Sequence, residues 1–196
     1  MTAASIAVVQ MKISIADIRP PIWRRVLVPN TMTLDELHVV IQESMGWEDY
    51  HLHEFMIDGT RYGTLEWDET YDGVDETKMR LSNLVQDPGY KFHYIYDFGD
   101  YWQHVLVMEQ LLPFEPDSFY PVCLKAKRAC PPEDVGGVWG YADFVSAIQD
   151  PKHPEHREML TWYGEVYDPE FVDLEAINAQ LRALFRGKRW SQRTVR

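Results

Sequence analysis

The sequence lacks the long apolar runs and the leader segment that would direct it into or across a membrane. No stretch reaches the roughly 18 consecutive apolar residues that a transmembrane helix requires. The first 15 residues carry one charged side chain, Lys12, and lack the basic start, apolar block and small-residue cleavage site of a secretory signal. These absences predict a cytoplasmic protein with no membrane contact.

Cysteine is scarce, and basic residues are outnumbered by acidic ones. Cys123 and Cys130 are the two cysteines, too few for a disulfide framework, so we expect thiols. The formal net charge of −12 argues against a surface that binds nucleic acid as a whole. The exception is a basic tail, residues 186–196, with five Lys or Arg residues and no acid. This tail either folds back on the acidic body or contacts nucleic acid.

Apolar residues are plentiful, and in the first third of the chain they follow strand and helix periods. The sequence is 45% hydrophobic, which is enough for a buried core. Two β-prone runs, residues 5–15 and 22–28, flank a turn with two prolines. An amphipathic helix follows, with a capping box formed by Thr33 and Glu36. Residues 51–63 then read as a strand that enters a turn.

The second half begins with a hairpin and ends with helices. Residues 90–110 form two β-prone runs around a turn, Asp97–Asp100, which supplies the glycine that such a turn needs. A Pro-rich segment, residues 113–138, is predicted to be an irregular connection. Three helices are predicted after it, over residues 139–149, over residues 154–164 and from Asp173 onward.

The order strand, strand, helix, strand and hairpin predicts an α+β fold. We expect a β-grasp-like mixed sheet with a helical C-terminal portion. One domain is predicted over residues 1–185. Its parts are a sheet-rich part (1–112), the Pro-rich loop (113–138) and a helical part (139–185), with the basic tail (186–196) after it.

Histidines interrupt the apolar faces of the predicted strands. Strand alternation places His51 and His53 on one face, and it places His104 beside Trp102 on a face of the hairpin. Imidazoles among core residues are costly unless they are hydrogen-bonded or bound to a metal. One interpretation is a buried network of histidines and aspartates. The other is a divalent metal with an open position, held by His51, His53 and His104 or a nearby aspartate.

Two further chemistries can be considered from the residue types. A nucleophilic cysteine would pair Cys123 or Cys130 with a histidine. Two prolines limit the backbone after Cys130, and nothing in the sequence indicates a lowered thiol pKa. Arg24 lies on a predicted strand, where it could anchor the carboxylate of Glu133 or Asp134. A structural salt bridge is the alternative role for this arginine.

Five sequence blocks occur together in an order typical of one family. They are DIRPPIWRRVLVP, TLDELHVVIQESMGWEDYHLHEF, YIYDFGDYWQHVLV, CPPEDVGGVWGYADF and DPKHPEH. From about residue 8 to residue 185, the chain resembles the plasmid pRiA4b ORF-3-like family. The resemblance implies an origin in plasmids, mobile elements or bacterial chromosomes. Some members carry a resolvase-like or transposase-accessory label, and the resemblance implies no established reaction.

The resemblance also groups the polar residues of these blocks into one candidate pocket. The candidate pocket consists of Arg24, His51, His53, Asp97, Asp100, Trp102, His104, Glu133, Asp134, Gly136 and Gly137. The chain departs from the family pattern at Val135, where members often have a second cysteine. A cysteine-rich zinc site is therefore not expected.

The CPPEDVGG loop has two interpretations. In one, it folds over the hairpin, and its carboxylates Glu133 and Asp134 approach His104, Asp97 or Arg24. Its paired glycines would then permit a tight turn or the close approach of a ligand. In the other, the loop is a structural latch whose acids fix the arginine and cap the next helix.

Two functions are consistent with these features. The first is a binding or accessory module linked to mobile elements, with a protein or a small ligand as its partner. Nucleic acid would be a partner only through the basic tail. The second is a metal-dependent hydrolase or nuclease with histidine and aspartate ligands and Glu133 as the base. The acidic body favours the first, and its charge also argues against a serine resolvase.

Overall fold

The computed structural model describes residues 6–64, 72–84, 87–164 and 166–190. These residues form eight strands, five α-helices and a single 3₁₀ turn, Glu76–Lys78. The strands are β1 (Ala7–Ile15), β2 (Trp23–Pro29), β3 (His53–Ile57), β4 (Thr60–Gly63), β5 (Val74–Asp75), β6 (Lys91–Tyr96), β7 (Trp102–Pro113) and β8 (Val122–Lys127). The helices are α1 (Leu34–Met45), α2 (Leu81–Leu84), α3 (Gly137–Gln149), α4 (His156–Tyr163) and α5 (Leu174–Leu184).

The strands form one sheet in the order β5-β4-β3-β6-β7-β1-β2-β8. The pairings are antiparallel except for that of β4 with β5 at one edge. A mostly antiparallel mixed sheet combined with helices agrees with the predicted α+β class. A β-grasp relation in particular is not confirmed by this strand order.

Helix α1 begins and ends where the sequence predicts. The Glu36 carboxylate accepts a hydrogen bond from the Thr33 backbone N–H at 3.1 Å, as expected for a capping box. Gly46 ends the helix in the left-handed conformation, with φ of 97°. The apolar face of α1 packs into the main core, where Leu34, Leu37 and other aliphatic residues are buried.

The Pro-rich segment is more regular than the sequence predicts. The structure places β8 inside residues 113–138, paired with β2 at the sheet edge. Pro121 immediately precedes β8 and Pro131 follows it, so no proline interrupts the strand itself. The prediction of an irregular connection over this segment was wrong for β8, because the strand character of Val122–Lys127 comes from its pairing with β2.

The C-terminal helices follow the prediction closely. The Asp173 side chain caps α5 by accepting a hydrogen bond from Ala176 N at 2.9 Å. The described part of the tail lies against the body: Lys188 pairs with Glu36, and the Trp190 indole donates to the Tyr120 carbonyl at 3.2 Å. The rest of the predicted basic tail, residues 191–196, lies outside the described residues. Within the described ranges, no helix combines the length and the apolar character that crossing a bilayer requires.

Candidate functional site

Three segments that are distant in the chain meet at the side chain of His51. His51 precedes β3, Asp97 begins the turn between β6 and β7, and Glu133 and Asp134 belong to the loop before α3. His51 Nε2 lies 3.1 Å from Asp134 Oδ1, 3.8 Å from Asp97 Oδ2 and 4.0 Å from Glu133 Oε2. We call these four side chains the His51 cluster. The loop therefore lies over the hairpin turn.

Hydrogen bonds hold the loop in this place. Glu133 Oε1 accepts from the backbone N–H of Glu48 at 2.9 Å and from the Tyr96 hydroxyl at 3.1 Å. On the other side of the loop, Asp100 Oδ2 accepts from the N–H of Gly136 at 3.0 Å. Glu133 and Asp100 thus connect the loop to the segment before β3 and to the hairpin turn.

The glycine pair of the loop is required by its backbone. Gly136 and Gly137 both have positive φ, 91° and 68°. A Cβ at Gly137 would lie 2.5 Å from the backbone oxygen of Asp100, so a larger residue could not fit without moving the turn. The glycines therefore allow the loop to approach the hairpin closely before α3 begins.

The turn directs one oxygen of Asp97 toward His51. Asp97 has a φ of 55°, and its Oδ1 accepts from the N–H of Gly99 at 2.8 Å. Its side chain is only 10% exposed. The second oxygen, Oδ2, faces His51 Nε2 at 3.8 Å, which is beyond hydrogen-bond distance.

Three carboxylates surround a single imidazole in the His51 cluster. His51 Nε2 and Glu133 Oε2 are buried atoms. His51 Nε2 lies at ion-pair distance from Asp134 Oδ1 without hydrogen-bond geometry, and Glu133 Oε2 accepts no hydrogen bond from the described residues. Burial raises the pKa of Glu133 above its ordinary value, and the nearby Asp134 carboxylate raises it further. Burial also raises the pKa of the Tyr96 hydroxyl that donates to Glu133. The arrangement is rich in acceptors and short of positive charge.

His53 belongs to a different environment from His51. Its ring stacks on His38 with centroids 3.5 Å apart and planes 5° apart, and its Nε2 lies 2.9 Å from a carboxylate oxygen of Glu76. His38 Nε2 contacts Asp49 at 2.9 Å. An imidazole binds a metal in its own ring plane, and two parallel rings at this distance cannot both hold one ion in plane. The contacts are those of a hydrogen-bonded network.

His104 occupies a third environment. It is fully buried beside Trp102, on the sheet face that strand alternation predicts. Its Nδ1 donates to the Trp102 carbonyl at 2.9 Å, and burial lowers its pKa to about 4. The imidazole is therefore neutral at physiological pH. The predicted metal set of His51, His53 and His104 divides among three places in the described structure, and only His51 lies beside the loop carboxylates.

Arg24 is buried and binds backbone carbonyl groups. Its guanidinium donates to the carbonyl oxygens of Ser44 at 2.5 Å, Lys127 at 3.2 Å and Arg128 at 3.0 Å. Burial lowers its pKa. Glu133 accepts its hydrogen bonds from Glu48 and Tyr96. Among the described residues, Arg24 therefore organises the end of β8 and is not the anchor of the loop acids.

Both cysteines are free thiols, as the sequence predicts. Burial raises the pKa of Cys123 and of Cys130 above the ordinary thiol value. A nucleophilic thiolate needs the opposite shift. This environment does not favour cysteine chemistry at the loop.

A cavity of about 990 Å³ opens on the other side of the hairpin turn. Asp100, Tyr101, Gly136 and Trp139 contribute to its lining. The three segments of the site also carry exposed aromatic side chains. These are Tyr50, Phe98, Tyr101 and Trp139, which we call the aromatic rim. Sequence reasoning did not identify the rim, although its members flank the motif residues, which is a usable signal.

Comparison with known proteins decides the family. A family model described as plasmid pRiA4b ORF-3-like protein matches residues 7–176. The chain belongs to the plasmid pRiA4b ORF-3-like family. The uncharacterized protein y4hQ of Sinorhizobium fredii (strain NBRC 101917 / NGR234) is 39% identical over 193 residues, 97% of this chain and 97% of the relative.

A solved structure shares the fold and a substantial part of the sequence. The crystal structure of MM3350, a protein of unknown function from Methanosarcina mazei Go1, has a TM-score of 0.78 to this chain and 38% identity. The match covers 88% of this chain and 98% of that one. Neither relative's name states an activity, so the pRiA4b ORF-3-like assignment fixes the family and the fold, and the function has to be argued from the site.

Val135, where members of the family often have a second cysteine, has a packing role in the structure. Val135 packs against the core as a partly buried residue. Its carbonyl would lie 2.0 Å from a Cβ at Gly140, so the loop and the first turn of α3 are in close contact. In this pRiA4b ORF-3-like chain the position is part of the packing.

Proposed function

We propose that the protein is a binding or accessory module, cytoplasmic and associated with mobile elements, that takes a protein segment or a small ligand at the aromatic rim. One observation carries the proposal: the segments that build the His51 cluster also expose four aromatic side chains. The plasmid reading frame in the family's name supports the association with mobile elements.

Aromatic side chains in water are unfavourable unless a partner covers them. Trp139 is 85% exposed, Tyr50 70% and Tyr101 54%. Tryptophan and tyrosine are enriched among the residues that dominate binding energy at interfaces. Tyr101 and Trp139 border the same cavity, whose volume lies in the range that accommodates a small ligand. The rim therefore has the composition of a binding site, and its Tyr101 and Trp139 border a concave surface.

Site-specific photo-cross-linking tests this proposal. A photoreactive amino acid is placed at Trp139 and, as a control, at Trp162, which is 47% exposed on α4. The proposal predicts a discrete adduct in the native host at position 139 that is absent at position 162. Introducing Tyr101→Ala into the chain that carries the photoreactive residue at position 139 should weaken the adduct. The same adducts at both positions, or none at position 139, would contradict a partner at the rim.

A second candidate function is a metal-dependent hydrolase or nuclease, favoured by the His51 cluster. The raised pKa of Glu133 suits a general base, and Asp134 is 68% exposed, which leaves the cluster open to a substrate. The test is hydrolysis of phosphodiester and ester substrates in Mn²⁺ by the wild type and Glu133→Gln. Turnover abolished in the variant would support an enzyme, and equal background rates would exclude these reactions.

A nucleic-acid contact through the basic tail is a separate proposal. The charge of residues 186–196 supports it, whereas Lys188 already pairs with Glu36. Fluorescence anisotropy with a labelled DNA duplex, compared between the full chain and a chain that ends at Trp190, would measure the contribution of the last residues. Equal affinities at low salt would contradict this contact.

A further inference from the structure

We propose that the His51 cluster is a divalent-cation site, with His51 Nε2 and carboxylate oxygens of Asp97, Glu133 and Asp134 as ligands. The inference goes beyond a binding role at the aromatic rim and does not depend on it. It differs from the three-histidine set that the sequence predicts, because it keeps His51 and replaces the other two histidines with carboxylates from the turn and the loop.

The distances between the donor atoms support a shared ion. Ligand atoms of His51, Asp97 and Asp134 all lie within 4.8 Å of one another, and Glu133 Oε2 lies 4.0 Å from His51 Nε2. Ligands about 2.0–2.2 Å from one central ion are separated by roughly 3–4 Å. The atoms of His51, Asp97 and Asp134 therefore need only small side-chain movements to surround a cation, and Glu133 needs a larger one.

The hydrogen bonds of the ligands leave the required atoms unoccupied. Asp97 uses Oδ1 for the N–H of Gly99, and Glu133 uses Oε1 for Glu48 and Tyr96. Their remaining oxygens, Oδ2 and Oε2, both face His51. The Asp97 side chain is nine-tenths buried, so its free oxygen points into the cluster from a fixed position. Asp97 and Glu133 are thus each held by one oxygen and present the other to His51.

The three carboxylates of the His51 cluster also favour the binding of a cation. The cluster brings the carboxylates of three residues against one imidazole. Carboxylates held this close repel one another, and a cation bound between them relieves that repulsion. The three carboxylates form ion pairs with His51, and no Lys or Arg pairs with them among the described residues.

The ligand types indicate the class of metal. Carboxylate oxygens suit Mg²⁺, Ca²⁺ and Mn²⁺, and one imidazole nitrogen shifts the preference toward a first-row transition ion. A set of three oxygens and one nitrogen therefore favours Mn²⁺. The neighbouring group of His38, Asp49 and His53 offers a comparison, because its stacked rings cannot share an ion in plane.

Titration with Mn²⁺ alone, by calorimetry on untagged and metal-depleted protein, tests the inference. Asp97→Asn and Asp134→Asn are suitable variants, because both positions have positive φ, 55° and 56°, which asparagine adopts readily. Asparagine also keeps the acceptor for the N–H of Gly99. Asp49→Asn, in the neighbouring group, is the matched control. Circular dichroism verifies that each variant is folded.

The inference predicts about one equivalent of Mn²⁺ in the wild type and the control. Affinity should fall at least about tenfold in each of the two cluster variants. Less than a tenth of an equivalent in the wild type, equal affinity in the cluster variants, or an equal loss in Asp49→Asn would overturn it. None of these results depends on a partner at the aromatic rim, so the two proposals can fail independently.

Discussion

At the scale of single residues, two histidines of the predicted metal set differ in chemistry because they differ in burial. His104 has no exposed surface, and its Nε2 has no hydrogen-bond partner in the described structure, so its neutral form is favoured. His51 is partly exposed and faces three carboxylates. The first residue is enclosed in the core, and the second is accessible and lies among acidic side chains.

His104 should make the stability of the protein dependent on pH. Its pKa is about 4 in the fold and near 6.5 when the chain is unfolded. Between these values the unfolded chain binds a proton that the folded chain does not, so the free energy of unfolding falls as pH falls from 6.5 toward 4. The loss from this group approaches about 3 kcal/mol.

Urea unfolding of the wild type and His104→Asn at several pH values measures this contribution. The variant lacks the titrating group but keeps a donor that can reach the Trp102 carbonyl. The stability advantage of the wild type should be constant above pH 7 and shrink below pH 6.5. An advantage that does not change between pH 7 and 4.5 would contradict the burial of a neutral His104.

Gly137 should tolerate substitution less well than another glycine with the same backbone conformation. Gly137→Ala places a methyl group against the backbone oxygen of Asp100, whereas Gly164, with φ of 78°, has open space around it. Gly164→Ala should cost about 1 kcal/mol from backbone strain alone. Gly137→Ala should cost about 1–3 kcal/mol more, because the turn must move. Chemical denaturation of both variants checks this difference, and equal losses would show that the loop does not approach the turn so closely.

The sequence predicts the face that a single residue occupies on a strand better than it predicts which distant residues come into contact. Strand alternation places His104 and Trp102 on one buried face because that period is local. The contact of His51 with Asp134 depends on the path of a loop that is distant in the chain. That path is set by the Glu133 hydrogen bonds and by the bond between Asp100 and Gly136, neither of which has a sequence period.

At the scale of elements, α5 completes the hydrogen bonding of the edge strand β8. Asn178 Oδ1 accepts from Cys123 N at 2.8 Å, and Asn178 Nδ2 donates to the Cys123 carbonyl at 2.9 Å. The side chain acts as a short additional strand partner beside the register shift between β2 and β8. An exposed strand edge is thereby covered.

Asn178→Ala should destabilise the protein by about 1–3 kcal/mol, because it leaves a part-buried N–H and carbonyl of Cys123 without partners. Gln180→Ala, on an exposed position of the same helix, is the control and should change stability by less than about 0.5 kcal/mol. Equilibrium unfolding in urea distinguishes the two. Similar values for both variants would show that Asn178 does not support β8.

Helix ends were predictable because their signals are local. Thr33 with Glu36 and Asp173 each mark a helix start through a short-range hydrogen bond, and both are confirmed. β8 was missed because its strand character depends on pairing with β2, a contact between distant parts of the chain. The hydrophobic pattern thus determines most elements, whereas the tertiary partner determines the edge strand.

At the scale of the whole molecule, the C-terminal segment is joined to the sheet and helix α1. Trp190 packs against the core near Phe185, and Lys188 pairs with Glu36 of α1. The acidic body thus holds part of its own basic tail. A positive segment next to a negative surface is favourable, and its strength falls with added salt.

Trp190→Ala should cost about 2 kcal/mol, since the indole is partly buried and donates to Tyr120. Trp139→Ala removes the same side chain from an exposed position and should change stability by less than about 0.5 kcal/mol. Thermal and urea unfolding compare the two tryptophans directly. A larger loss for Trp139 would contradict this assignment of packing and binding roles.

The central claim, that three distant segments converge on His51 to form a cation site, is tested most directly by crystallography with Mn²⁺. Crystals grown with MnCl₂ would be measured near the manganese absorption edge, and an anomalous difference map would be calculated. We expect a peak bounded by His51 Nε2 and the carboxylates of Asp97, Glu133 and Asp134. No peak at His51 in a map that shows the ordered sulfur atoms, or a peak at His38 and His53 instead, would contradict the account.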